Sequence, residues 1–295
     1  MRILIYGAGA LGRGFLAPLA QNGGHHFTLC DCNKSLVTAL GDVGCYWLVQ
    51  VIGDGSYLRR IRPNAVLLRG QENPDDYDYI YTAVGNEAVH SLPLERGNVV
   101  ICENNRECAQ EWWKRNHGVG FGVPDVIASG TAPAKILEVD PLAVASEPGE
   151  LWAEHGPLGT VVPDLDVAWY RKLYLHNIPH AALAFLGQAA SHVTIDQSAY
   201  IFNAPLSALM TQLVKAGVAV GYFEADDAAA YAKRELARFS HTTLCDPITR
   251  VAREPSRKLG RLIEGRVLLR RINEESPFLE EAIEVCEASC SGNGT

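Results

Sequence analysis

A glycine-rich turn between an apolar run and a helical pattern constrains the fold of this chain more than any other feature. Residues 2–6 are aliphatic or aromatic after the first, which is typical of a buried parallel strand. They lead into Gly-x-Gly-x-x-Gly and then into a helical repeat of apolar residues. In this context the glycines permit a tight turn, the approach of a pyrophosphate and close packing of helix on strand. The motif predicts a dinucleotide site whose contacts include Gly7, Gly9, Ala10, Gly12 and Arg13.

The next strand-like run indicates which dinucleotide would bind. Residues 27–30 end at Asp31, which lies 19 positions after Gly12. A carboxylate there accepts hydrogen bonds from the two ribose hydroxyls of the adenosine and repels a 2′-phosphate, so we expect NAD rather than NADP. The alternative is a structural glycine turn that binds no phosphate.

Two later apolar runs predict strands that end at the same edge of the sheet. The run that starts at Asp78 ends at Val84, Gly85 and Asn86, which we expect beside the cofactor. The run over 98–102 delivers Asn104, a candidate active-site amide. An N-cap for a helix over 106–115 is the alternative for Asn104 and for its neighbour Asn105.

Length and pattern together predict two domains. A chain of 295 residues exceeds what one core usually supports, and the strand signals give way to helical period near 157–165. We therefore expect an α/β fold with an N-terminal, Rossmann-type, doubly wound sheet domain over 1–160. An all-α domain over 161–295 would follow it, with helices around 166–190, 204–223 and 225–239.

Composition narrows the class of partner. A net charge of −8 argues against nucleic acid or an anionic membrane surface as the main partner, since both require a basic footprint. There is no apolar run of transmembrane length and no secretory leader pattern, so we expect a cytoplasmic protein. The eight cysteines lack C-x-x-C pairs and are interpreted as reduced thiols, with no metal site. A monomer or homodimer that binds a small molecule is expected.

Four polar residues in an otherwise apolar segment mark the candidate catalytic helix. On a helix, Lys172, His176, Asn177 and His180 fall within an arc of roughly 140°. Pro179 removes a helical N–H and crowds the preceding turn, so we expect a kink there that turns His180 toward the site. The alternative is a half-exposed amphipathic helix.

A basic run near the end of the chain is the candidate substrate seat. Residues 250–261 carry cations at Arg250, Arg253, Arg257, Lys258 and Arg261. In an acidic protein such a cluster is either a solvated surface or a seat for an anionic or polyhydroxy substrate.

These motifs, in this order, resemble the polyol-specific long-chain dehydrogenases, also called the mannitol dehydrogenase family. The resemblance is carried by Lys-x4-Asn-x2-His at 172–180, the glycine-rich start, Thr-Ala-Val-Gly at 82–85 and Cys-Glu-Asn at 102–104. The run at 250–259 is most similar to the mannitol-1-phosphate branch. The resemblance implies metal-independent, NAD-dependent interconversion of a sugar alcohol and its ketose, here mannitol 1-phosphate and fructose 6-phosphate.

The resemblance also implies roles for individual residues. Lys172 would be the general acid and base, Asn104 and Asn177 would polarise the reacting oxygen, and His180 would orient it. The far hydroxyls or the phosphate would contact Arg250 and Lys258, with Arg253 and Arg257 as further candidates.

Departures from the family pattern leave the substrate open. Val126 stands where relatives commonly carry arginine, and Ile178-Pro179 replaces the more usual Thr-Gly. An unphosphorylated polyol, a hexuronate such as fructuronate or tagaturonate, or ketopantoate are the alternative substrates. A catalytically silent dinucleotide-binding module is the alternative from another class of protein.

Overall fold

The chain divides into two compact units. The computed structural model describes residues 1–53, 55–162, 164–244 and 246–292. The first unit is Met1–Leu165, and the second begins at Asp166, a few residues beyond the domain limit predicted at 160. Pro163, within the break predicted near 157–165, lies outside the described residues, as does Asp54.

The first unit contains twelve strands and four α-helices among its described residues. The strands are β1 (Arg2–Tyr6), β2 (His26–Asp31), β3 (Tyr46–Ile52), β4 (Gly55–Ile61), β5 (Ala65–Leu68), β6 (Tyr79–Thr82), β7 (Val99–Ile101), β8 (Val119–Asp125), β9 (Ala128–Ser129), β10 (Val144–Ser146), β11 (Glu150–Ala153) and β12 (Thr160–Val161). The helices are α1 (Ala17–Asn22), α2 (Lys34–Val43), α3 (Arg106–Trp113) and α4 (Ala134–Leu137). A π-helical turn, Gly12–Leu16, precedes α1, and 3₁₀ turns cover Pro74–Asp76 and Ala88–Ser91.

Six parallel strands form the core of the larger sheet. They stand in the order β8-β7-β6-β1-β2-β5, and β11 joins β8 in antiparallel pairing at one edge, followed by β12. In chain order the six parallel strands read 3-2-1-4-5-6 across the sheet, which is the Rossmann order. The order reverses between β1 and β6, so the loops after these two strands meet at the switch point where ligands bind in such sheets. The predicted α/β fold is confirmed.

A smaller sheet in the same unit forms hydrogen bonds with the π turn Gly12–Leu16. Its order is β4-β3-β10-β9, and its edge strand β4 carries Arg59 and Arg60. Tyr46 donates to the carbonyl of Arg13 at 2.8 Å, and Ser146 donates to that of Gly14 at 2.7 Å. Both carbonyls lie in the π turn, so side chains of the smaller sheet supply acceptor partners where the regular helix ladder is interrupted.

The second unit is built from helices. They are α5 (Asp166–Lys172), α6 (Ile178–Ala189), α7 (Ile195–Ile201), α8 (Asn203–Ala219), α9 (Ala225–Phe239), α10 (Ile248–Val251), α11 (Pro255–Arg270) and α12 (Pro277–Gly292). A π turn, Leu173–Asn177, joins α5 to α6, and a 3₁₀ turn covers Thr242–Leu244. Pro179 is the second residue of α6, where a proline is tolerated, and the π turn ends two residues before it. The kink expected at Pro179 stays a prediction. The helix α6 is the centre of this unit, since its residues from Ile178 to Gly187 are buried.

The lengths of the helices and the state of the cysteines were also considered in the sequence predictions. Among the helices within the described ranges, none is both long enough and apolar enough to cross a bilayer. The described cysteines carry free thiols, and Cys245 lies outside the described residues.

Gly12 is the position where the turn tolerates a side chain least. A Cβ placed there would lie 1.8 Å from the carbonyl oxygen of Gly7, whereas a Cβ at the exposed helical Gly41 would meet nothing within 4 Å. We expect Gly12→Ala to lower the free energy of unfolding by about 1–3 kcal/mol through overpacking. Gly41→Ala, the control, should raise it by about 0.5–1 kcal/mol because alanine favours the helix. Urea denaturation measures both, and equal midpoints for the two variants would contradict this account of the turn.

Candidate active site

The glycine-rich turn has the shape that a bound dinucleotide requires. Gly7 has a φ of +96°, and a Cβ there would lie 2.2 Å from the carbonyl oxygen of Ala83, so only glycine fits. A Cβ at Gly9 would meet nothing within 4 Å. The second glycine of the motif therefore borders open space, as expected where a pyrophosphate approaches the backbone.

Asp31 is held at the end of β2 by the turn itself. Its Oδ2 accepts from the backbone N–H of Ala8 at 2.7 Å, and its Oδ1 accepts from that of Asn33 at 2.8 Å. Each carboxylate oxygen can accept more than one hydrogen bond, so these contacts fix the group and leave capacity for ribose hydroxyls.

The structure gives Arg13 a structural role. Its Nε donates to the carbonyl of Ala8 at 2.6 Å, and its other nitrogens donate to the carbonyls of Leu142 and Gly130. Its backbone N–H donates to Gly9 at 3.0 Å. The predicted contact of Arg13 with the cofactor thus gains no support, because the groups that would make it are engaged within the protein.

A buried glutamate organises the loop after β6. The Oε1 of Glu103 accepts from the N–H of Val84 at 2.8 Å, and its Oε2 accepts from the N–H of Gly85 at 2.9 Å. These two hydrogen bonds hold the loop in place. Because the N–H groups of Val84 and Gly85 donate to Glu103, these residues would contact a cofactor by van der Waals packing. Sequence reasoning passed over Glu103, although its position directly after a buried strand was a usable signal.

The two asparagines after β7 have different roles: one caps a helix, and the other is a candidate active-site residue. Asn105 is the N-cap of α3, since its side chain accepts from the N–H groups of Glu107 and Cys108. Asn104, half-buried, stands between the buried Glu103 and this cap. The helix N-cap alternative thus applies to Asn105, and Asn104 stays a candidate for the reacting oxygen.

In the second unit, the four predicted polar residues are all buried. Lys172, His176, Asn177 and His180 are at most 8% exposed, so the segment is not the half-exposed amphipathic helix of the alternative. The side-chain nitrogen of Asn177 has no hydrogen-bond partner among the described residues. A buried N–H without a partner is costly, so this amide is placed for an acceptor that a ligand would bring.

Each histidine contacts a buried carboxylate. The Nδ1 of His176 lies 2.6 Å from Oε2 of Glu235, and the Nε2 of His180 lies 3.1 Å from Oδ2 of Asp246. An arginine pairs with each carboxylate in turn, Arg238 with Glu235 and Arg250 with Asp246. Neither carboxylate was predicted, although Glu235 with Arg238 and Asp246 with Arg250 have the spacings of helical ion pairs.

Burial and neighbouring charges shift the pKa values of His180 and Asp246. Burial lowers the pKa of His180, and Arg250 and Lys258 lower it further, while Asp246 acts in the opposite direction. Burial would raise the pKa of Asp246, but His180 and Arg250 outweigh it and bring that pKa to about 2. At neutral pH the carboxylate is thus ionised and the imidazole is held neutral.

The predicted substrate cations have different environments. Arg250 donates twice to Asp246, at 2.8 and 2.5 Å, and Arg257 donates to Glu254 at 2.5 Å. Arg253 is exposed, so it lies at the surface. Burial, reinforced by Arg261, Arg257 and Arg250, lowers the pKa of Lys258 to about 7. The cations of this run therefore differ in burial and in ion pairing, and the run is not a uniformly solvated surface.

Comparison with known proteins identifies the second unit. A family model described as the mannitol dehydrogenase C-terminal domain matches residues 164–279, which include Lys172, Asn177, His180 and the basic run. The second unit is therefore similar to the C-terminal domain of mannitol dehydrogenases. The resemblance to this family inferred from the motifs is confirmed, and with it the expected class, an oxidoreductase acting on a CH–OH group.

Individual known proteins match most of the chain. Mannitol-1-phosphate 5-dehydrogenase of Enterococcus faecalis (strain ATCC 700802 / V583) is 28% identical over 314 residues, covering 88% of this chain and 78% of the relative. Among solved structures, Pseudomonas fluorescens mannitol 2-dehydrogenase in ternary complex with NAD and D-mannitol has a TM-score of 0.78 at 13% identity, covering 97% of this chain and 78% of that one. Substrate-free D-sorbitol dehydrogenase has a TM-score of 0.70 at 14% identity, covering 92% and 77%. At these identities the solved structures show the shared fold.

The lowered pKa of Lys258 makes a prediction about stability. Its pKa is about 7 in the folded protein and 10.5 as an ordinary lysine, so between these values the unfolded chain binds more protons. The free energy of unfolding should therefore gain a contribution that grows as the pH rises from about 7 to about 10. Urea denaturation at several pH values measures this. Lys258→Met should lack that contribution, whereas the exposed control Lys233→Met should retain it; the same pH profile for both variants would contradict the assignment.

Proposed function

We propose that this protein is an NAD-dependent dehydrogenase that interconverts a sugar alcohol and its ketose, with mannitol 1-phosphate and fructose 6-phosphate as the pair. The observation that carries the proposal is the buried amide nitrogen of Asn177, which has no partner among the described residues and belongs to the helical turn that follows Lys172. A hydride-transfer enzyme needs such a donor for the substrate oxygen and a base for its hydroxyl proton.

The first unit fits NAD at several points. Gly9 borders open space, and Asp31 is fixed at the end of β2 with acceptor capacity to spare. The carboxylate favours two ribose hydroxyls over a 2′-phosphate. We assign Gly7, Gly9, Ala10 and Gly12 to the pyrophosphate turn, and Val84, Gly85 and Asn86 to the wall beside the cofactor. Bound NAD would supply the hydride acceptor for alcohol oxidation.

The chain's own residues would manage the proton and the oxygen. Lys172 would take the hydroxyl proton during oxidation and return it during reduction. Asn177 would donate its unpartnered N–H to the substrate oxygen, with Asn104 as a second donor, and His180 would orient that oxygen. The neutral state of His180 suits this role, since a second cation would hinder Lys172 from taking a proton.

The cations of α10 and α11 would receive the remainder of the substrate. Lys258 has a pKa of about 7, so an anionic phosphate beside it would favour the ammonium form. Arg253, at the surface, could approach the same group. The Enterococcus faecalis relative is named as acting on mannitol 1-phosphate, which agrees with a phosphorylated substrate.

One observation favours a second candidate, an unphosphorylated polyol or a hexuronate. Arg250 and Arg257 already pair with Asp246 and Glu254, so each of them offers a phosphate less net positive charge. An enzyme with Lys172 in the same role but without phosphate selectivity would be consistent with that pairing.

The assignment of Gly9 is tested by cofactor binding. Because its Cβ would enter open space, we expect Gly9→Ala to leave the free energy of unfolding within about 0.5 kcal/mol of wild type. The added methyl should nevertheless weaken NADH binding by about tenfold or more, equivalent to about 1.4 kcal/mol, because it occupies the space of the pyrophosphate. Fluorescence titration with NADH measures this, with Gly41→Ala as control. Unchanged affinity would remove Gly9 from the site.

The proposed reaction is tested by NADH oxidation with fructose 6-phosphate beside fructose, fructuronate, tagaturonate and ketopantoate. Selectivity for fructose 6-phosphate is expected. Lys172→Met should then lower kcat by about 10²–10⁴-fold while NADH still binds, because the general acid and base is lost. The exposed Lys114→Met is the control and should keep wild-type turnover.

Other outcomes of the same assay have definite meanings. Turnover of an unphosphorylated ketose alone would favour the second candidate. NADH binding without turnover of any of the five compounds would contradict an enzymatic role and favour a binding module. Near-native turnover by Lys172→Met would overturn the assignment of the base.

A further inference from the structure

The pair formed by His176 and Glu235 has no role in the reaction as proposed above. Glu235 is fully buried, and its Oε2 lies 2.6 Å from Nδ1 of His176. Its Oε1 accepts from Arg238. Burying a carboxylate costs free energy unless it is paired and hydrogen-bonded. Packing alone therefore does not explain why a carboxylate lies here.

The pair stands beside the proposed base. His176 lies in the π turn Leu173–Asn177, four residues after Lys172, and residues at this spacing are neighbours on a helix surface. The rings of His176 and His180 have centroids 5.1 Å apart, and Phe239 contacts both rings at 5.5 and 5.4 Å. An aromatic ring thus packs against the two imidazoles.

The charges around the pair fix the tautomer of His176. Arg238 pairs with Glu235, and Arg234 places its Nε 3.7 Å from the same oxygen, so the carboxylate stays ionised. An ionised carboxylate beside Nδ1 requires the proton on that nitrogen. Nε2 of the neutral ring is then the nitrogen that can accept a proton. Of the other charged groups near the two histidines, Lys172 belongs to the same helical segment, while Arg250 and Lys258 act on His180.

We propose that His176, oriented by Glu235, is the residue with which Lys172 exchanges its proton in each turnover. The inference rests on the proposed function. During oxidation the alcohol would lose its hydroxyl proton to neutral Lys172 and its hydride to NAD. Lysine would return to the amine by passing that proton to Nε2 of His176, and the imidazolium would be stabilised by Glu235 until the proton is released to solvent. His176 is therefore a positioning residue that acts through Lys172.

The first test needs no substrate. In ¹H–¹⁵N NMR spectra of histidine-labelled protein, His176 should appear as the Nδ1–H tautomer and lose that signature in Glu235→Gln. Lys172→Met should raise the titration midpoint of His176, because a neighbouring ammonium that disfavours the imidazolium is gone. His192, which contacts Ser198 at 3.1 Å, is the internal control and should keep its midpoint. An unchanged midpoint at His176 would overturn the inference.

The second test separates proton exchange from structural support. His176→Asn keeps an N–H donor near the place of Nδ1, so it can still satisfy Glu235, but it cannot carry a proton. His176→Gln removes that donor as well. Proton exchange predicts that both variants lose about tenfold or more in kcat, with KM and NADH affinity near wild type. A purely structural role predicts that His176→Asn keeps its kcat.

The outcomes distinguish the two proposals. Wild-type turnover with unchanged kcat in His176→Asn would overturn the proton exchange and leave the proposed function standing. Absence of wild-type turnover with each of the five compounds would overturn the proposed function, and the exchange with it. His192→Asn controls for the loss of an imidazole elsewhere in the unit. Circular dichroism and NADH titration establish that each variant is folded, so that a loss of kcat reflects the proton step.

Discussion

Buried carboxylates are the constraint on which the candidate site depends. An ionised carboxylate removed from water must be surrounded by donors, or the free energy of its burial is not recovered. Glu103 meets this need with the N–H groups of Val84 and Gly85, and thereby shapes the loop after β6. Asp246 meets it with His180 and Arg250. Glu235 meets it with His176, Arg238 and Arg234. The residues proposed for chemistry are thus held in place by groups that need not touch a substrate.

The sequence was most informative where chemistry and backbone geometry coincide. The glycine-rich turn could be predicted because Gly7 and Gly12 are positions where a Cβ would clash, and Asp31 because it ends the strand-like run that follows. Lys172, Asn177 and His180 were found through their spacing in an apolar segment. All of these signals are local, so a single sequence displays them.

The partners of these residues could not be found in the same way. Glu235 contacts His176 from 59 positions away, and such a pairing depends on how α9 packs, which no local pattern reveals. Arg13 is a related case: a cation in a phosphate turn predicts contact with a ligand, whereas in the fold its hydrogen-bond partners include the carbonyl of Leu142, 129 positions away. Long-range partners decide whether a charged side chain serves a ligand or the protein, and they are known only once the fold is known.

The two π turns occur in the segments that matter most. Gly12–Leu16 follows the glycine motif, and Leu173–Asn177 follows Lys172. In the first, Tyr46 and Ser146 donate to carbonyls of the widened turn. The second contains His176 and Asn177 and ends two residues before Pro179. A π turn is less stable than a regular helix and is frequently found at functional sites, where it places a side chain differently from a regular turn.

The shared use of Asp246 has an evolutionary consequence. This carboxylate contacts His180 on one side and Arg250 on the other, so a change of substrate preference through Arg250 would also disturb the histidine. Arg253, by contrast, is exposed at the surface. Under the proposed function, selection for a new substrate would therefore disturb His180 less through Arg253 than through Arg250.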